Sequence, residues 1–435
     1  MARKKRSFYI ETLGCPKNLV DSEVIVSNLC DAGLEITHDP EKAEILIVNT
    51  CGFIEPAKEE SIDVILDFAR LKNKGMGQKL IVTGCLVQRY KEDLQKSLSE
   101  VDYFFDLDNI SGITRTLSSY KQFEDKRFIL TPKHYAYLRI SDGCENFCSY
   151  CAIPYIRGPV RSKSIEDIID EAQQLVDQGV KEIIVIAQDI GNYGIDIYGE
   201  SRLVELLQRL DNIQNLHWLR LLYVNPQHVT EELLVTIRNS KHILKYIDIP
   251  IQHISDNILH SMNRKTSKED ILLALSLIRT IVPNISIRTT LIVGFPGETD
   301  QDFQELLDLV KKEQFDHLGA FTYFQEDGTQ AALLPNQVPE NVKQKRYDRI
   351  METQKSISQE KLQGFIGNKL TVIVDKKIKP KIYECRSQFD APDIDGIIYL
   401  EKAEVEVGDL VEVEIVDSLE YDLIALPVKK YRSNT

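Results

Sequence analysis

The 435-residue sequence predicts an α/β protein in three parts. These are an N-terminal doubly wound parallel sheet (1–125), a central partial (βα)6 barrel (130–363) and a small C-terminal all-β barrel (364–430). Three observations carry this. Apolar strand-like runs alternate with helical patterns in the first part, the same rhythm recurs six times in the second, and helical periodicity stops after Gly364.

In the first part the order is FYIETLG, then the helical DSEVIVSNLCDAG, then AEILIVNT, a helix opening near Pro56, then KLIVTG and a further helix. That is the βαβ rhythm of an open parallel sheet. The barrel strands are expected at 135–141, 182–189, 218–223, 246–252, 286–294 and 317–324, with helical patterns such as IEDIIDEAQQLVDQG and DFQELLDLVKKE after them. Six units fall short of the eight that close a full barrel, and the site is expected at the carboxyl ends of the strands. In the last part LTVIVD, IIYLE and DLVEVEIVDS alternate with Gly and Pro turns, the texture of a small barrel.

Composition is that of a globular protein, 43% hydrophobic and 28% charged, with no apolar run of membrane-spanning length. The start is basic but lacks a long apolar stretch behind it, so neither a secretion signal nor a membrane span is expected, and the expected location is the cytoplasm. A net charge of -14 disfavours non-specific nucleic-acid binding and favours a basic partner. Between Asp390 and Leu426 twelve acidic residues stand against Lys402 alone, which makes this stretch a poor phosphate binder. The basic segment Arg3 to Arg6 points the other way and is read as a solvated terminus.

Eight cysteines are too few for a disulfide scaffold in a chain this long and point to metal binding or catalysis. Six of them form two triplets. Cys15, Cys51 and Cys85 each follow the last residue of a predicted strand, so parallel strands bring them to one edge of the sheet. Cys144, Cys148 and Cys151 lie in SDGCENFCSYCAIP, directly after the first barrel strand. A cubane cluster has four irons, so a site of three cysteines leaves one iron open. Zinc is the alternative, although no histidine lies near the second triplet in sequence to complete its usual four ligands. Cys30, Cys385 and Trp218 are read as structural, and His253 as a hydrogen-bonding residue of the barrel rim.

The C-x-x-x-C-x-x-C spacing, with Tyr150 before its last cysteine, resembles the radical S-adenosylmethionine superfamily. That resemblance implies that Cys144, Cys148 and Cys151 hold a 4Fe-4S cluster whose open iron binds S-adenosylmethionine and cleaves it to a 5'-deoxyadenosyl radical. It also implies cofactor contacts from Tyr150, from Gln188 and Asp189 at the end of the second barrel strand, and from Gly294 in LIVGFPGET. The whole layout resembles the methylthiotransferases, whose terminal domain is called TRAM. By that resemblance Cys15, Cys51 and Cys85 hold a second 4Fe-4S cluster that carries the sulfur, and all six cysteines are catalytic. One S-adenosylmethionine supplies the methyl group and another the radical.

The segments IAQD (186–189), RLLYVNP (220–226), YIDIPIQHISDNILHSMNR (246–264) and FDAPDIDG (389–396) resemble the branch that modifies the β-carbon of an aspartate in small-subunit ribosomal protein S12, the RimO branch. The partners implied are that basic protein, either free or within the ribosomal subunit, and a low-potential electron donor, with no membrane and no direct tRNA substrate. The same chemistry on a modified adenosine of tRNA stays open as an alternative, as does a non-catalytic iron–sulfur redox protein. Ile190, Gly191 and Asn192 replace the small hydroxyl residues common in the branch, and Asn146 and Phe147 stand where a basic residue or glycine is frequent.

Overall fold

A computed structural model of the protein describes residues 6–72, 77–118 and 127–428. Of the basic segment only Arg6 falls within these residues, and its Nη1 donates to the Leu117 carbonyl at 3.1 Å. The chain forms two compact units. One comprises residues 1–130, 142–161 and 324–332, and the other 131–141, 162–323 and 333–435.

The first unit begins with β1 (Ser7–Thr12), α1 (Pro16–Asp31), β2 (Glu35–Ile36), β3 (Ile45–Thr50), α2 (Glu55–Lys72), β4 (Lys79–Gly84), α3 (Cys85–Ser97), β5 (Tyr103–Phe105) and α4 (Ser111–Leu117). Its strands pair in parallel in the order β2-β1-β3-β4-β5. The pleat sends alternate residues of the central strand to opposite faces. Leu46 and Val48 meet Ile65 of α2 and Leu94 of α3. Ile45 and Ile47 meet Ile25 and Leu29 of α1 and Ile113 of α4. Helices therefore cover both faces, which is why β3 is buried along its whole length. The predicted doubly wound sheet is the one observed.

The chain continues through β6 (Tyr135–Arg139), β7 (Ser141–Asp142), α5 (Ile153–Arg157) and β8 (Arg161–Ser162), β7 and β8 pairing as a two-residue ladder. Then follow α6 (Ile165–Asp177), β9 (Glu182–Ile186), α7 (Ile195–Tyr198), α8 (Leu203–Leu210), β10 (Trp218–Leu221), α9 (Glu231–Asn239) and β11 (Tyr246–Asp248). Next come α10 (Asp256–Ser261), α11 (Lys268–Ile281), β12 (Ser286–Val293), α12 (Asp300–Glu313), β13 (His317–Thr322) and α13 (Glu340–Gln363). The six barrel strands form two parallel triples, β10-β9-β6 and β11-β12-β13. A single bridge, Leu219 to Ile243, lies where the triples meet. The fourth strand is shorter than expected. Pro250 has no N–H to give to a ladder, and pairing resumes only at the bridge from Gln252 to Leu291.

The terminal part is a closed barrel in the order β14-β15-β16-β18-β17, built from β14 (Lys369–Lys379), β15 (Ile382–Ser387), β16 (Ile398–Glu401), β17 (Leu410–Ser418) and β18 (Leu423–Pro427). Two of these strands, IYECRS and LIALP, escape the alternation test because a buried arginine interrupts one and the other is only five residues long. Among the described residues no helix is long and apolar enough to cross a membrane.

Within the second unit the terminal barrel packs on the amino-terminal ends of the parallel strands through buried charge. Arg386, 4% exposed, binds Glu182 at 2.8 Å and Asp375 at 2.7 Å. Glu182 also receives Arg220 at 2.7 Å, and both of these side chains are fully buried. Asp375 accepts from His134 Nε2 at 2.7 Å. Burial works against its charge, but the bond to His134 and the Arg386 guanidinium outweigh this and hold the carboxyl below its ordinary value. Alongside, Tyr246 Oη donates to Asp395 at 2.7 Å, and Arg288 reaches Asp248 at 3.2 Å and Asp395 at 3.3 Å. Removing one partner of a buried pair leaves the other charge stranded. Arg386→Met is therefore expected to cost about 3–5 kcal/mol, read as an earlier urea transition in which the terminal barrel becomes protease-sensitive first.

Candidate functional site

The three loops that carry the first triplet leave the same edge of the sheet because β1, β3 and β4 are adjacent and parallel. Cys51 directly follows β3, and Cys85 is the first residue of α3, directly after β4. Cys15 lies three residues past β1 rather than one, at the N-cap of α1. The Leu13 N–H still bonds the Asn49 carbonyl at 2.9 Å, and the chain leaves the extended conformation at Gly14, whose φ is +87. The thiols interact electrostatically. Burial pushes Cys85 up to about 12, opposed by Arg157, while Cys15 and Cys51 raise it further. Burial likewise raises Cys51.

Asn18, fully buried, ties the three loops together. Its Nδ2 donates to the Leu13 carbonyl at 2.9 Å and to the Thr50 carbonyl at 3.0 Å, and its Oδ1 accepts from Cys85 Sγ at 3.3 Å. Asn49 Nδ2 in turn donates to the Asn18 carbonyl at 2.8 Å. Ser61 of α2 fixes the backbone of Cys51 from the other side, accepting from its N–H at 3.0 Å and donating to its carbonyl at 2.9 Å.

The second triplet sits on a loop of the same unit. The Cys144 N–H donates to the Gly158 carbonyl at 3.0 Å, closing the loop, and the Cys151 N–H donates to the Cys148 carbonyl at 3.0 Å, forming a turn inside it. Gly143 has φ +78, and a Cβ there would lie 1.9 Å from the Pro159 carbonyl oxygen, so only glycine lets the loop close. All three cysteines are half-buried, and Phe147 between them is exposed at φ +47. The helix that follows, α5, packs Ala152 and Ile156 against Cys85 of the first triplet.

Both triplets are thiol donor sets, the ligand type that an iron–sulfur cluster takes. Among the described residues no three His, Cys, Asp or Glu side chains are placed to hold one metal ion. A cubane binds each cysteine through a different iron. Thiols as buried as Cys51 and Cys85 stay protonated at neutral pH until a metal displaces the proton.

In the second unit, Gln188, Asp189 and Gly294 lie at the carboxyl ends of β9 and β12, as expected. Asp189 accepts from the N–H of Gly191 at 3.1 Å and from Asn192 Nδ2 at 3.2 Å, so it shapes its own loop. The side-chain nitrogen of Gln188 is buried without a hydrogen-bond partner among the described residues. Gly294, at φ +74, and Phe295 both donate N–H groups to Glu298 Oε2. Burial pushes Glu298 up to about 7 against the pull of Arg346, which binds its Oε1 at 2.9 Å. His253 is fully buried behind the rim, and burial lowers it to about 3. Its Nδ1 accepts from the Ser255 N–H at 3.0 Å, and its Nε2 stands 3.9 Å from Glu298.

Asn18 and Arg157 were not singled out from sequence. For Asn18 a signal existed. Asn18, Asp21 and Ser22 form a polar stripe at helical spacing on the buried face of α1. Arg157, in YIRG, carries no such mark.

The close approach of Gly14 to Cys51 generates a test. A Cβ on Gly14 would lie 2.8 Å from Cys51 Sγ, at a backbone angle that side chains disfavour. Gly14→Ala is expected to weaken iron retention by the first triplet on the order of 10–100-fold, measured by chelator competition after anaerobic reconstitution, with the second triplet unaffected.

Comparison with known proteins matches three stretches of the chain. Residues 7–106 match the Uncharacterized protein family UPF0004, residues 138–310 the Radical SAM superfamily and residues 366–428 the TRAM domain. The structure resembles the radical S-adenosylmethionine methyltransferase TsrM from Kitasatospora setae, with a TM-score of 0.56 over 76% of this chain and 75% of that one. At 13% identity this is a likeness of fold. The ribosomal protein uS12 methylthiotransferase of Clostridioides difficile is 47% identical over 95% of this chain and 97% of its own length. The protein of the same name from Bacteroides thetaiotaomicron is 45% identical over 98% of this chain and 100% of its own. That from Aquifex aeolicus is 44% identical over 95% of each. With relatives this similar along nearly its whole length, the chain belongs to the ribosomal protein uS12 methylthiotransferase family, radical SAM enzymes that work with S-adenosylmethionine and an iron–sulfur cluster.

Proposed function

We propose that this protein methylthiolates the β-carbon of an aspartate in ribosomal protein uS12, using two S-adenosylmethionine molecules and two 4Fe-4S clusters. Cys15, Cys51 and Cys85, in the domain 1–125, hold the cluster that carries the sulfur. Cys144, Cys148 and Cys151, in the domain 130–363, hold the cluster that generates the radical. The observation that carries the reading is the presence in one compact unit of two sites with three cysteines each, in a chain whose relatives bear that name. When bound, the clusters supply one-electron reduction of S-adenosylmethionine and a sulfur for transfer.

The chain's own residues do the rest. Three cysteines per site leave one coordination position open. Asn18 and Ser61 tie together the loops that carry Cys15, Cys51 and Cys85. Tyr150, Gln188, Asp189 and Gly294 are assigned to the cofactor, with the partnerless amide nitrogen of Gln188 the group best placed to donate to it. The electron comes from a low-potential donor, and the reaction takes place in the cytoplasm.

The domain 364–430 is assigned to substrate binding. On β17 the alternation turns Val413 and Ile415 inward and Glu412 and Glu414 outward, a surface suited to a basic protein. One observation favours the tRNA reading. Lys376, Lys377, Lys379 and Lys381 are exposed on the β14–β15 hairpin of the same barrel, and such a ribbon suits a phosphate backbone.

Mass spectrometry of uS12 and of digested tRNA, from cells with and without the protein, separates the two. The expected result is loss of the methylthio increment from the uS12 aspartate with tRNA nucleosides unchanged. Loss from a modified adenosine instead would reassign the substrate. The two triplets are expected to divide the chemistry. Cys148→Ala should abolish deoxyadenosine formation, whereas Cys51→Ala should retain it and stop sulfur insertion. Equal loss in both variants would refute that division.

A further inference from the structure

The first triplet and the loop of the second meet at one side chain. Arg157, the last residue of α5, is 1% exposed and lies six positions after Cys151. Its Nη2 donates to Asn18 Oδ1 at 2.7 Å, to Asp21 Oδ2 at 2.9 Å and to Cys85 Sγ at 3.6 Å. Its Nη1 donates to Asp142 Oδ2 at 2.9 Å. Asp142 stands two residues before Cys144 and also accepts the Gly143 N–H at 2.9 Å. One planar cation thus binds a sulfur of the first site, the asparagine that orders that site, and the entry to the second loop.

We infer that Arg157 is a positioning residue for sulfur transfer, which bonds the Cys85 sulfur and holds the Cys144–Cys151 loop in register with the Cys15, Cys51 and Cys85 site. The inference rests on the reading that the first triplet holds an iron–sulfur cluster. Two physical arguments support it. Hydrogen bonds to ligating sulfurs tune a cluster's reduction potential, and a buried cationic donor does so more strongly than an exposed or neutral one. Neutralising Asp21 and Asp142 alone would need only a charge, which lysine also supplies, whereas addressing Cys85 and Asp142 together needs the fork of a guanidinium.

The loop has an independent second anchorage. The Ala331 N–H donates to the Ser149 carbonyl at 2.8 Å, between Cys148 and Cys151. In the same segment Glu326 binds Lys58 at 2.7 Å and Arg89 at 2.6 Å. Burial lowers the Lys58 ammonium, but the bonds to Glu326 and Glu55 outweigh it and hold it at about 12. Loss of Arg157 therefore leaves the loop with other ties, among them this one and the packing of Ala152 and Ile156 on Cys85.

The test uses the full-length chain carrying Cys144→Ala, Cys148→Ala and Cys151→Ala, in which only the first triplet remains to bind a cluster, reconstituted anaerobically. Its reduction potential and paramagnetic resonance spectrum are compared with those of the same chain bearing Arg157→Gln, Arg157→Lys or Asp142→Asn. The expected result is a more negative potential for Arg157→Gln, partial return for Arg157→Lys, and no shift for Asp142→Asn, whose change leaves the bond to Cys85 intact. In the chain with all six cysteines, Arg157→Gln and Asp142→Asn should each retain deoxyadenosine formation and lower the methylthio product about tenfold. An unmoved potential and spectrum in an iron-loaded Arg157→Gln chain would overturn the inference, as would an equal shift in Asp142→Asn. Should Arg157→Gln not fold, the Arg157→Lys and Asp142→Asn pair decides by the same criterion. Failure of the triple-alanine chain itself to take up iron would instead overturn the reading of the first triplet.

Discussion

Asn18 is the joint on which the first cysteine site depends. A parallel sheet delivers its loops to one edge, but it does not fix the distances between them. A single buried amide does that here by bonding the carbonyls after β1 and at the end of β3 and the thiol after β4. Each bond satisfies a group that burial would otherwise leave stranded, and the cost of stranding makes the arrangement stiff. Under the proposed function the stiffness has a use, since three cysteines that share a cluster each meet a different iron.

The second unit is organised by charge in the same way. Glu182, at the start of β9, has two arginines, one from the parallel sheet and one from the terminal barrel. Arg220 continues to the Gln388 carbonyl at 3.0 Å and lies over the Tyr246 ring at 4.8 Å. His317 Nε2 meets the Phe389 carbonyl at 2.8 Å. Burial raises the Asp390 carboxyl in this setting, with His317 opposing the shift. A cavity of about 760 Å³ lies among these groups, lined by Arg288, His317, Asp390 and Asp395. It opens at the amino-terminal ends of the strands, the end concerned with stability in barrels of this kind, whereas chemistry belongs to the opposite end. Such pairs are weak sources of net stability but strong penalties against misplacement, so they set how the terminal barrel docks.

The terminal barrel is less uniform than its sequence composition suggests. The run from Asp390 to Leu426 is acidic, yet the β14–β15 hairpin that precedes it carries the exposed lysines. Closure sets the two side by side. β14 pairs with both β15 and β17, so Lys369 faces Glu414 across the ladder. A surface with both signs has a direction as well as a net charge, and that bears on how a basic protein would be oriented on it.

Alternating apolar runs determined the doubly wound sheet, the six barrel strands and the place of Cys15, Cys51 and Cys85 after strands of the sheet, because strand and helix periods are local properties of the chain. The sequence pattern missed β15 and β18, and it overextended β11 through Pro250, where local alternation and ladder pairing disagree. Gln188, Asp189 and Gly294 were legible as strand-end residues. That Asp189 bonds its own loop while Gln188 keeps a partnerless nitrogen was not. The bond from Arg157 to Cys85 spans 72 residues, and the Arg386 pair with Glu182 spans more. Periodicity and spacing thus determined by themselves which elements form and where the thiols emerge. Only the tertiary structure decided which buried polar groups hold those thiols together, because hydrogen-bond partners brought together by packing leave no periodic trace in the chain.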